Sequence, residues 1–521
     1  MVNTQLFNTQ RGALLPAANA VNEAGGRAYK LSARHQLAQL AATGCLGQTF
    51  YAGAAQQLDD VLALAREVDP AFVAQTALYA RRAGHMKDMP ALLAAVLAVR
   101  DVELLARVFP RLIDSGKMLR NFVQIVRSGA VGRKSLGTRP KKLVQQWLLN
   151  ATESQLLHAA VGNTPSLADV VKMVHPKPQE AWRAAWFAWL IGRPFKLDEL
   201  PPLTQAFERY KADRTQPLPD VPFQLLTALE LDAAAWAQIA QRGSWQMVRQ
   251  NLNTFARHSV FAQDGLARAV AAKLRDAASV AKARVLPYQL LSAYTAAGAE
   301  VPHAVKDALQ DAMELALANV PQIAGRVVVC PDVSGSMSSP VTGYRKGATT
   351  AVRCIDVAAL VAAAVLRKNR DAIVLPFEQH VVQVALNPRD TVLTNAAKLA
   401  AIGGGGTACS APLQWLNARK AQADVVVLVS DNESWADRAN QGGRGRATAT
   451  MQAWEAFKQR NPCAKLVCID IQPYASTQAA ERADVLNIGG FSDEVFKLLA
   501  LFAADALHPD HWVGVIEQEV L

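Results

Sequence analysis

Apolar residues recur three and four positions apart from about residue 28 to residue 320, which is the spacing of one face of an α-helix. The stretches 58–64, 90–97 and 104–109 show this pattern. Gly and Pro interrupt it at short intervals, and no strand-like alternation appears. Many helices of about 12–18 residues joined by short turns predict an α-solenoid of helical hairpins. No fixed period is visible, so HEAT-like describes the architecture and gives no repeat count.

The pattern changes at about residue 325, where short runs rich in β-branched residues begin. Helical stretches at 347–369 and 449–460 separate these runs. Near-continuous apolar strands that alternate with helices are typical of a parallel sheet covered on both faces. The predicted strands are 326–330, 372–377, 424–429 and 464–471. We therefore expect a doubly wound α/β domain after the helical region.

Two domains follow from this change in pattern. The helical domain is predicted to span 1–322, and its first 25 or so residues, which are small and polar, are expected to form a partly ordered arm. The α/β domain is predicted to span 323–521. The hydrophobic share of 51% and the charged share of 19% in 521 residues can supply both cores and exclude a mostly disordered chain.

The net positive charge of the protein comes from the helical domain alone. The net charge is +11; residues 1–322 hold 36 basic and 25 acidic residues, whereas residues 323–521 hold 19 of each. Residues 101–150 alone hold 10 basic and 3 acidic residues. Such a local excess can attract a polyanion such as nucleic acid. From charge alone, an ordinary solvated surface is an equally good interpretation.

The six cysteines form no C-x-x-C pattern, which argues against a disulfide framework or a zinc ribbon. The first 25 residues contain one basic residue and no sustained apolar run, so no signal peptide is predicted. The Ala-rich run 357–366 is too short to span a bilayer. From these features we expect buried thiols and a cytoplasmic protein.

Five oxygen-bearing side chains at predicted strand ends suggest a metal site in the α/β domain. Asp332, Ser334 and Ser336 alternate directly after the first strand. Thr407 follows a run of four glycines, and Asp431 follows the strand 424–429. Ligands gather at the carboxyl ends of parallel strands, and an oxygen-only set suits one hard divalent cation such as Mg²⁺. Another interpretation is that the three hydroxyls cap the following helices, and both roles could coexist.

The ensemble resembles the von Willebrand factor A (vWA) fold with its metal-ion-dependent adhesion site (MIDAS), and all five family positions are present. The surrounding residues are similar to the Ro autoantigen family. The stretches that carry this resemblance are 405–415 and 423–434 in the α/β domain, and 46–51, 169–178 and 283–291 in the helical (TROVE) domain. The order of the two domains also matches that family.

The resemblance to Ro proteins implies a HEAT-like helical domain that closes into a ring, followed by the vWA domain. It implies binding of small structured noncoding (Y-like) RNAs on the ring surface, and of single-stranded 3′ ends of misfolded RNAs through the hole. We further expect a role in RNA quality control and possible association with polynucleotide phosphorylase. The protein is expected to be a monomer that forms a ribonucleoprotein with its RNA. In the vWA family one metal coordination position stays open for an acidic group of a partner.

Basic residues of the helical domain are the candidate RNA contacts. On a helix predicted over about 116–128, cations three and seven positions apart fall on one face. Others follow on a Gly/Ser-containing loop and the next helix start, and a second cluster lies beside a Pro-rich turn. The candidates are Lys117, Arg120, Arg127, Arg133, Lys134, Arg139, Lys141, Lys142, Lys172, His175 and Lys177. For any single one, a solvated helix face is an equally good interpretation.

No enzymatic activity is predicted, because no nucleophile stands at an informative distance from a base and no paired carboxylates would hold two metals. Two other functions remain open. The vWA domain could act as a metal-dependent protein-interaction module that binds an acidic partner without specific RNA binding. A hydrolase that uses one metal ion is the third hypothesis.

Overall fold

The computed structural model describes residues 15–42, 54–283, 285, 287–341, 352–431, 433–434, 436–437, 447–490, 493–507 and 510–521. Outside the described residues lie the stretch 46–51, Cys45, Arg284 and Asn432. Within these ranges no helix is long and apolar enough to cross a membrane. Cys330, Cys354, Cys409 and Cys468 are buried free thiols, and Cys463 is an exposed one.

The chain divides into two compact units. The first comprises Met1–Leu64, Arg284–Ala296 and Gln310–Gln518, and the second comprises Ala65–Ala283, Ala297–Leu309 and Glu519–Leu521. The second unit is helical, and the first contains all of the strands described below. The units therefore do not follow the chain order strictly, because the N-terminal residues group with the α/β part.

Helices dominate the chain up to residue 320, as the periodicity predicted. In chain order these helices are α1 Ala33–Ala42, α2 Ala54–Glu67, α3 Pro70–Arg82, α4 Asp88–Arg100, α5 Val102–Leu112, α6 Gly116–Arg127, α7 Thr138–Asn150, α8 Glu153–Ala160, α9 Leu167–Val174, α10 Ala181–Leu190, α11 Pro202–Ala212, α12 Phe223–Leu226, α13 Ala233–Arg242, α14 Trp245–Gln250, α15 Leu252–Arg257, α16 Leu266–Leu274, α17 Ala277–Ala283, α18 Pro287–Ala296 and α19 His303–Ala316. Short 3₁₀ turns occur at Leu197–Glu199, Val260–Ala262 and Leu317–Asn319. Many of the helices are shorter than predicted, since Gly, Pro and capping residues end them early.

Local sequence explains where these helices begin and which face they bury. Asp101 starts α5 by accepting a hydrogen bond from the Leu104 amide at 2.9 Å, and Ser115 starts α6 in the same way. The apolar residues of α5 lie on one stripe, which is buried. Phe109 of α5 meets Phe122 of α6 edge to face, with ring centroids 5.3 Å apart.

The α/β part contains a five-stranded parallel sheet in the order β4-β3-β5-β6-β8. The strands of the protein are β1 Ala20–Val21, β2 Arg27–Lys30, β3 Val327–Pro331, β4 Ile373–Val374, β5 Val425–Ser430, β6 Lys465–Asp470, β7 Ser476–Thr477 and β8 Val485–Gly489. The helices of this part are α20 Cys354–Lys368, α21 Val392–Ala400, α22 Ala411–Ala418, α23 Ala449–Lys458, α24 Asp493–Ala503 and α25 His511–Glu517, with a 3₁₀ turn at Gly335–Ser338. Every residue of β3, β5 and β8 is buried, as expected of a sheet covered on both faces.

Part of the segment that was expected to form a partly ordered arm, together with the residues that follow it, is paired with the α/β part. β1 and β2 form an antiparallel hairpin, and β2 pairs with β7 of the α/β part. The strand β2 also contradicts the expectation of purely helical structure from residue 28. Its four residues are too few to show an alternation in the sequence, and tertiary pairing stabilises them as a strand.

Candidate metal centre and nucleic-acid interface

The register of β3 and β5 brings the two candidate carboxylates to the same edge of the sheet. Pro331 lies opposite Val429, so the chain leaves both strands at the same level. The Asp332 amide donates to the Val429 carbonyl at 2.9 Å. Asp332 and Asp431 are both buried, at 0% and 2% exposure. The carboxyl ends of neighbouring parallel strands therefore provide the paired acids, as the sequence predicted.

The glycine run carries Thr407 to this edge. Gly404 and Gly405 have φ of 120° and 74°, a region that L residues with a side chain rarely adopt. The Gly404 amide donates to the Val333 carbonyl, and the Gly405 carbonyl accepts from the Gly335 amide, each at 3.1 Å. These two bonds join the glycine loop to the turn after β3.

The three hydroxyls converge instead of capping helices. Thr407 Oγ1 donates to Ser334 Oγ at 2.9 Å, and Ser334 Oγ lies 3.3 Å from Ser336 Oγ. The Ser336 hydroxyl hydrogen-bonds the Asp431 carboxylate. Ser334 precedes the 3₁₀ turn but makes no side-chain capping bond, and Ser410 is the residue that precedes α22. The structure thus brings all five predicted residues together and does not support the capping alternative.

Burial dominates the electrostatics of this cluster. Burial, followed by the neighbouring Asp431 charge, raises the pKa of Asp332 to about 7. Burial likewise raises the pKa of Asp431 above its ordinary value. In the described part of the chain, neither carboxylate forms an ion pair with a Lys, Arg or His side chain. Two buried acids without a cationic partner fit a site whose charge a cation would balance.

The donor set is unusual for a metal site because hydroxyls outnumber carboxylates. Among the described residues, no group of three or more His, Cys, Asp or Glu side chains could hold a metal ion. The cluster supplies two carboxylates and three hydroxyls, all of them hard oxygen donors. Such a set suits Mg²⁺, which is held by few carboxylates and keeps part of its water shell.

Two features of the surrounding residues were not predicted. Ser430 Oγ donates to Asp332 Oδ2 at 2.5 Å and orients that carboxylate. Glu433 is 1% exposed, and its Oε2 accepts from the Ala24 amide of the N-terminal hairpin at 2.9 Å. Because Ser430 directly precedes Asp431 in the sequence, its place beside the site could have been predicted. The contact between residues 24 and 433 spans most of the chain and has no local signal.

Arg120 does not belong to the basic surface that was predicted on α6. Its side chain is 7% exposed, and its guanidinium donates to the carbonyls of Val161 and Pro165 at 2.5 and 3.1 Å. Lys117 and Arg127, on the same helix, are exposed. The helix itself was predicted correctly, but Arg120 supports the loop after α8 and is a structural residue.

The basic loop after α6 and the start of α7 expose most of their cations. Lys134, Arg139 and Lys142 are exposed, whereas Arg133 and Lys141 are partly buried. Arg139 forms an ion pair with Glu103 of α5. Arg133 donates to the Ala98 carbonyl at 3.2 Å, so part of its donor capacity is used inside the protein.

The second basic cluster lies close to the first. Lys172, His175 and Lys177 are all exposed. Gln145 of α7 donates to the Val174 carbonyl at 2.6 Å, which joins α7 to the end of α9. Helix α9 also packs against α6. The fold therefore gathers basic residues that are up to 60 positions apart onto three neighbouring helices.

Comparison with known proteins gives consistent matches. Residues 326–503 match the family described as the Ro60 vWA domain. The chain is 26% identical over 523 aligned positions to the "RNA-binding protein RO60" of Deinococcus radiodurans, covering 92% of this chain and 94% of that protein. The crystal structure of the Deinococcus radiodurans RO (RSR) protein superposes with a TM-score of 0.61 and 22% identity, covering 91% of this chain and all of that one. The predicted fold class, a HEAT-like helical region followed by a vWA domain, is confirmed.

Proposed function

We propose that this chain, which matches the Ro60 vWA domain family over residues 326–503 and is 26% identical to a protein described as RNA-binding, is itself an RNA-binding scaffold. One observation of the structure supports the proposal most strongly. Exposed cations on α6, on α7 with its preceding loop, and just after α9 lie on neighbouring helices of one unit. Phosphate contacts of this kind dominate RNA affinity.

The finer parts of the proposal concern the RNA and its fate. The ligands are small structured Y-like RNAs, bound at the basic helices, and the single-stranded 3′ ends of misfolded RNAs, admitted through a ring hole. The monomeric protein then acts in cytoplasmic RNA quality control, in association with polynucleotide phosphorylase. The support for this is the resemblance to Ro proteins over nearly the whole chain.

A salt titration of RNA binding tests the proposal. We expect the full-length protein to shift a structured small RNA in a native gel, with an affinity that falls steeply as salt rises. Lys142→Glu should weaken binding about tenfold and reduce the salt dependence, because each lost phosphate contact lowers the slope by about one. Arg370→Glu, an equal charge change at an exposed site of the α/β part, is the matched control. Absence of RNA binding even at low salt would rule the function out.

We also propose that Asp332, Ser334, Ser336, Thr407 and Asp431 hold one Mg²⁺ ion. The support is the convergence of their oxygens and the absence, among the described residues, of a cationic partner for the two acids. Calorimetric titration with MgCl₂ should show one site that Asp431→Ala removes. Asp424→Ala changes a partly exposed acid just before the opposite end of β5 and should leave the site intact. Equal binding by both variants would contradict the assignment.

A second candidate function is metal-dependent binding of an acidic protein partner by the vWA domain. The buried pair of acids favours it, since a metal held there could take a partner carboxylate as its remaining ligand. Pull-downs with EDTA and with RNase separate the functions: capture that needs metal but no RNA supports the protein partner. We infer that neither function includes catalysis; metal-stimulated RNA cleavage that Asp332→Ala abolishes would overturn this.

A further inference from the structure

A groove of about 290 Å³ lies between α5 and α7 in the helical unit. The two helices run side by side in the same direction. The ion pair between Arg139 and Glu103 joins their beginnings, and the Trp147 indole N–H, which donates to the Ile113 carbonyl at 2.9 Å, joins their ends. The groove is therefore a fixed feature of the packing between two helices.

The floor and the rim of the groove differ in chemistry. Phe109, Ile113 and Leu143 form a buried apolar floor, and the half-buried Trp147 lies beside them. Gln146 and Asn150 stand on the rim of α7 and are exposed. Within the described residues, neither side-chain amide has a hydrogen-bond partner, so each keeps its full donor and acceptor capacity for a ligand.

The charge around the groove favours an anionic ligand. Arg107 and Lys142 are exposed neighbours of groove residues in sequence, on α5 and α7. The two acids at the groove already have cationic partners: Glu103 pairs with Arg139, and Asp114, which itself lines the groove, pairs with Arg81 at 2.9 Å. A ligand at this groove would therefore meet an apolar floor, amide groups on one rim and uncompensated positive charge at its flanks.

We propose that this groove binds a nucleobase of single-stranded RNA, with Lys142 beside the adjoining phosphate. The inference rests on the proposed RNA-binding function and adds a base contact to it. Unpaired bases are recognised by stacking on aromatic or apolar surfaces and by hydrogen bonds to their edges. The Trp147 and Pro110 side chains supply the surface, and carboxamides such as those of Gln146 and Asn150 are suited to base edges because each offers a donor beside an acceptor.

The groove size agrees with this ligand. A volume of about 290 Å³ lies at the lower end of small-molecule pockets, which begin near ~300 Å³. It admits one base and leaves the sugar and the phosphates outside, where the exposed cations lie. A base held in this way makes binding sensitive to the presence of bases, whereas the basic surface alone responds only to phosphates.

The test compares two single-stranded oligoribonucleotides of the same length by fluorescence anisotropy, one with bases and one abasic. Wild-type protein should bind the oligonucleotide with bases about tenfold more tightly, which corresponds to ~1.4 kcal/mol. The double variant Gln146→Ala/Asn150→Ala should lose most of this difference while its affinity for the abasic strand stays the same. Gln124→Ala removes an exposed amide of α6 outside the groove and is the control. All three substituted residues are exposed, and unchanged melting curves of the two variants would confirm intact folding.

The outcomes separate this inference from the function on which it rests. Equal affinity of wild-type protein for both strands would overturn the base site and leave RNA binding by phosphate contacts in place. An unchanged preference in the double variant would also overturn it, because the bases would then be recognised elsewhere on the protein. Lys142→Glu should weaken both strands to the same extent. If wild-type protein bound neither strand nor a structured RNA, the proposed function itself would fail.

Discussion

A single buried guanidinium holds a loop of the helical unit in place. Arg120 donates to two backbone carbonyls, those of Val161 and Pro165, which would otherwise lack these donors. Burial lowers the pKa of Arg120 from its ordinary value, but an arginine this basic stays charged at physiological pH. Hydrogen bonds from a charged donor contribute about 1.5–3 kcal/mol each to stability, so the two bonds of Arg120 stabilise the folded helical unit substantially.

We expect Arg120→Ala to destabilise the helical unit by about 3 kcal/mol, because two buried carbonyls lose their charged donors. Thermal unfolding followed by circular dichroism should show a lower Tm. Arg127→Ala, on the exposed face of the same helix, should leave the Tm within a degree or two. In RNA binding the order should reverse, since only Arg127 is accessible. Equal Tm values for the two variants would contradict the structural role of Arg120.

At the residue scale, the sequence predicts a site correctly when its residues are close together in the chain. It fails when burial depends on a distant segment. Asp332, Ser334 and Ser336 could be grouped because the end of one strand places them within five residues of each other. Arg120 was assigned to the surface because helical spacing puts it on the same face as Lys117 and Arg127. Spacing alone cannot tell that the loop around Val161 covers that part of the helix.

At the scale of elements, a small ionic network fixes β8 against α23. Asp484 lies just before β8 and accepts hydrogen bonds from Trp454 of α23 at 3.0 Å and from Arg482 at 2.8 and 3.0 Å. Arg482 also bonds Glu455 of the same helix at 3.0 Å. Burial opposes the ionisation of Asp484, but the bonds from Arg482 and Trp454 outweigh it and hold its pKa below the ordinary value.

This network predicts a defined acid sensitivity. Because the pKa of Asp484 is lower in the folded than in the unfolded protein, its stabilising contribution is present above pH ~4 and is lost as the pH falls through the folded pKa. We expect Asp484→Asn to lower the Tm at pH 7 and to reduce the further loss of Tm in acid. Asp371→Asn, at an exposed site of the same unit, is the control. Parallel Tm–pH curves for wild type and Asp484→Asn would refute the assignment.

The strand β8 also shows why the sheet was only partly predicted. Four strands were recognised from runs of Val, Leu and Ile, and the structure confirms them, although β4 is reduced to Ile373–Val374. β8 was missed because Asn487 interrupts its apolar run. That polar residue is buried, and its side chain bonds the Ala479 carbonyl and Thr477, both at 3.0 Å. Burial of a polar residue becomes favourable only through such distant partners, which the local sequence does not reveal.

At the scale of the whole molecule, residues 20–42 are part of the α/β unit. Asn22 donates to the Ser434 carbonyl, and helix α1 contacts β8 and α25. The Nδ1 of His35 in α1 hydrogen-bonds the Glu481 carboxylate, and its Nε2 lies 3.0 Å from the Asn487 carbonyl oxygen. The boundary proposed at residue 322 marks the change in pattern, but it does not separate the compact units.

Gly26 offers a way to test this arrangement in the full-length protein. A Cβ atom there would lie 2.1 Å from the Ser434 carbonyl oxygen, so Gly26→Val should push the hairpin away at a cost of about 1–3 kcal/mol. We expect faster trypsin cleavage after Arg27 and a lower Tm. Val21→Ala changes a hairpin residue that is 68% exposed and should cleave like wild type. An unchanged cleavage rate in Gly26→Val would show that the hairpin does not depend on this contact.

The bond between Ala24 and Glu433 has a consequence for how the protein is made. Residues 20–42 are synthesised more than 430 residues before β7 and β8, on which they pack. The helical unit is contributed mainly by the intervening residues 65–283 and can form during this interval. Residues 20–42 of the nascent chain must therefore stay unpaired, with Leu31 and Leu37 accessible to chaperones, until β7 and β8 have been synthesised.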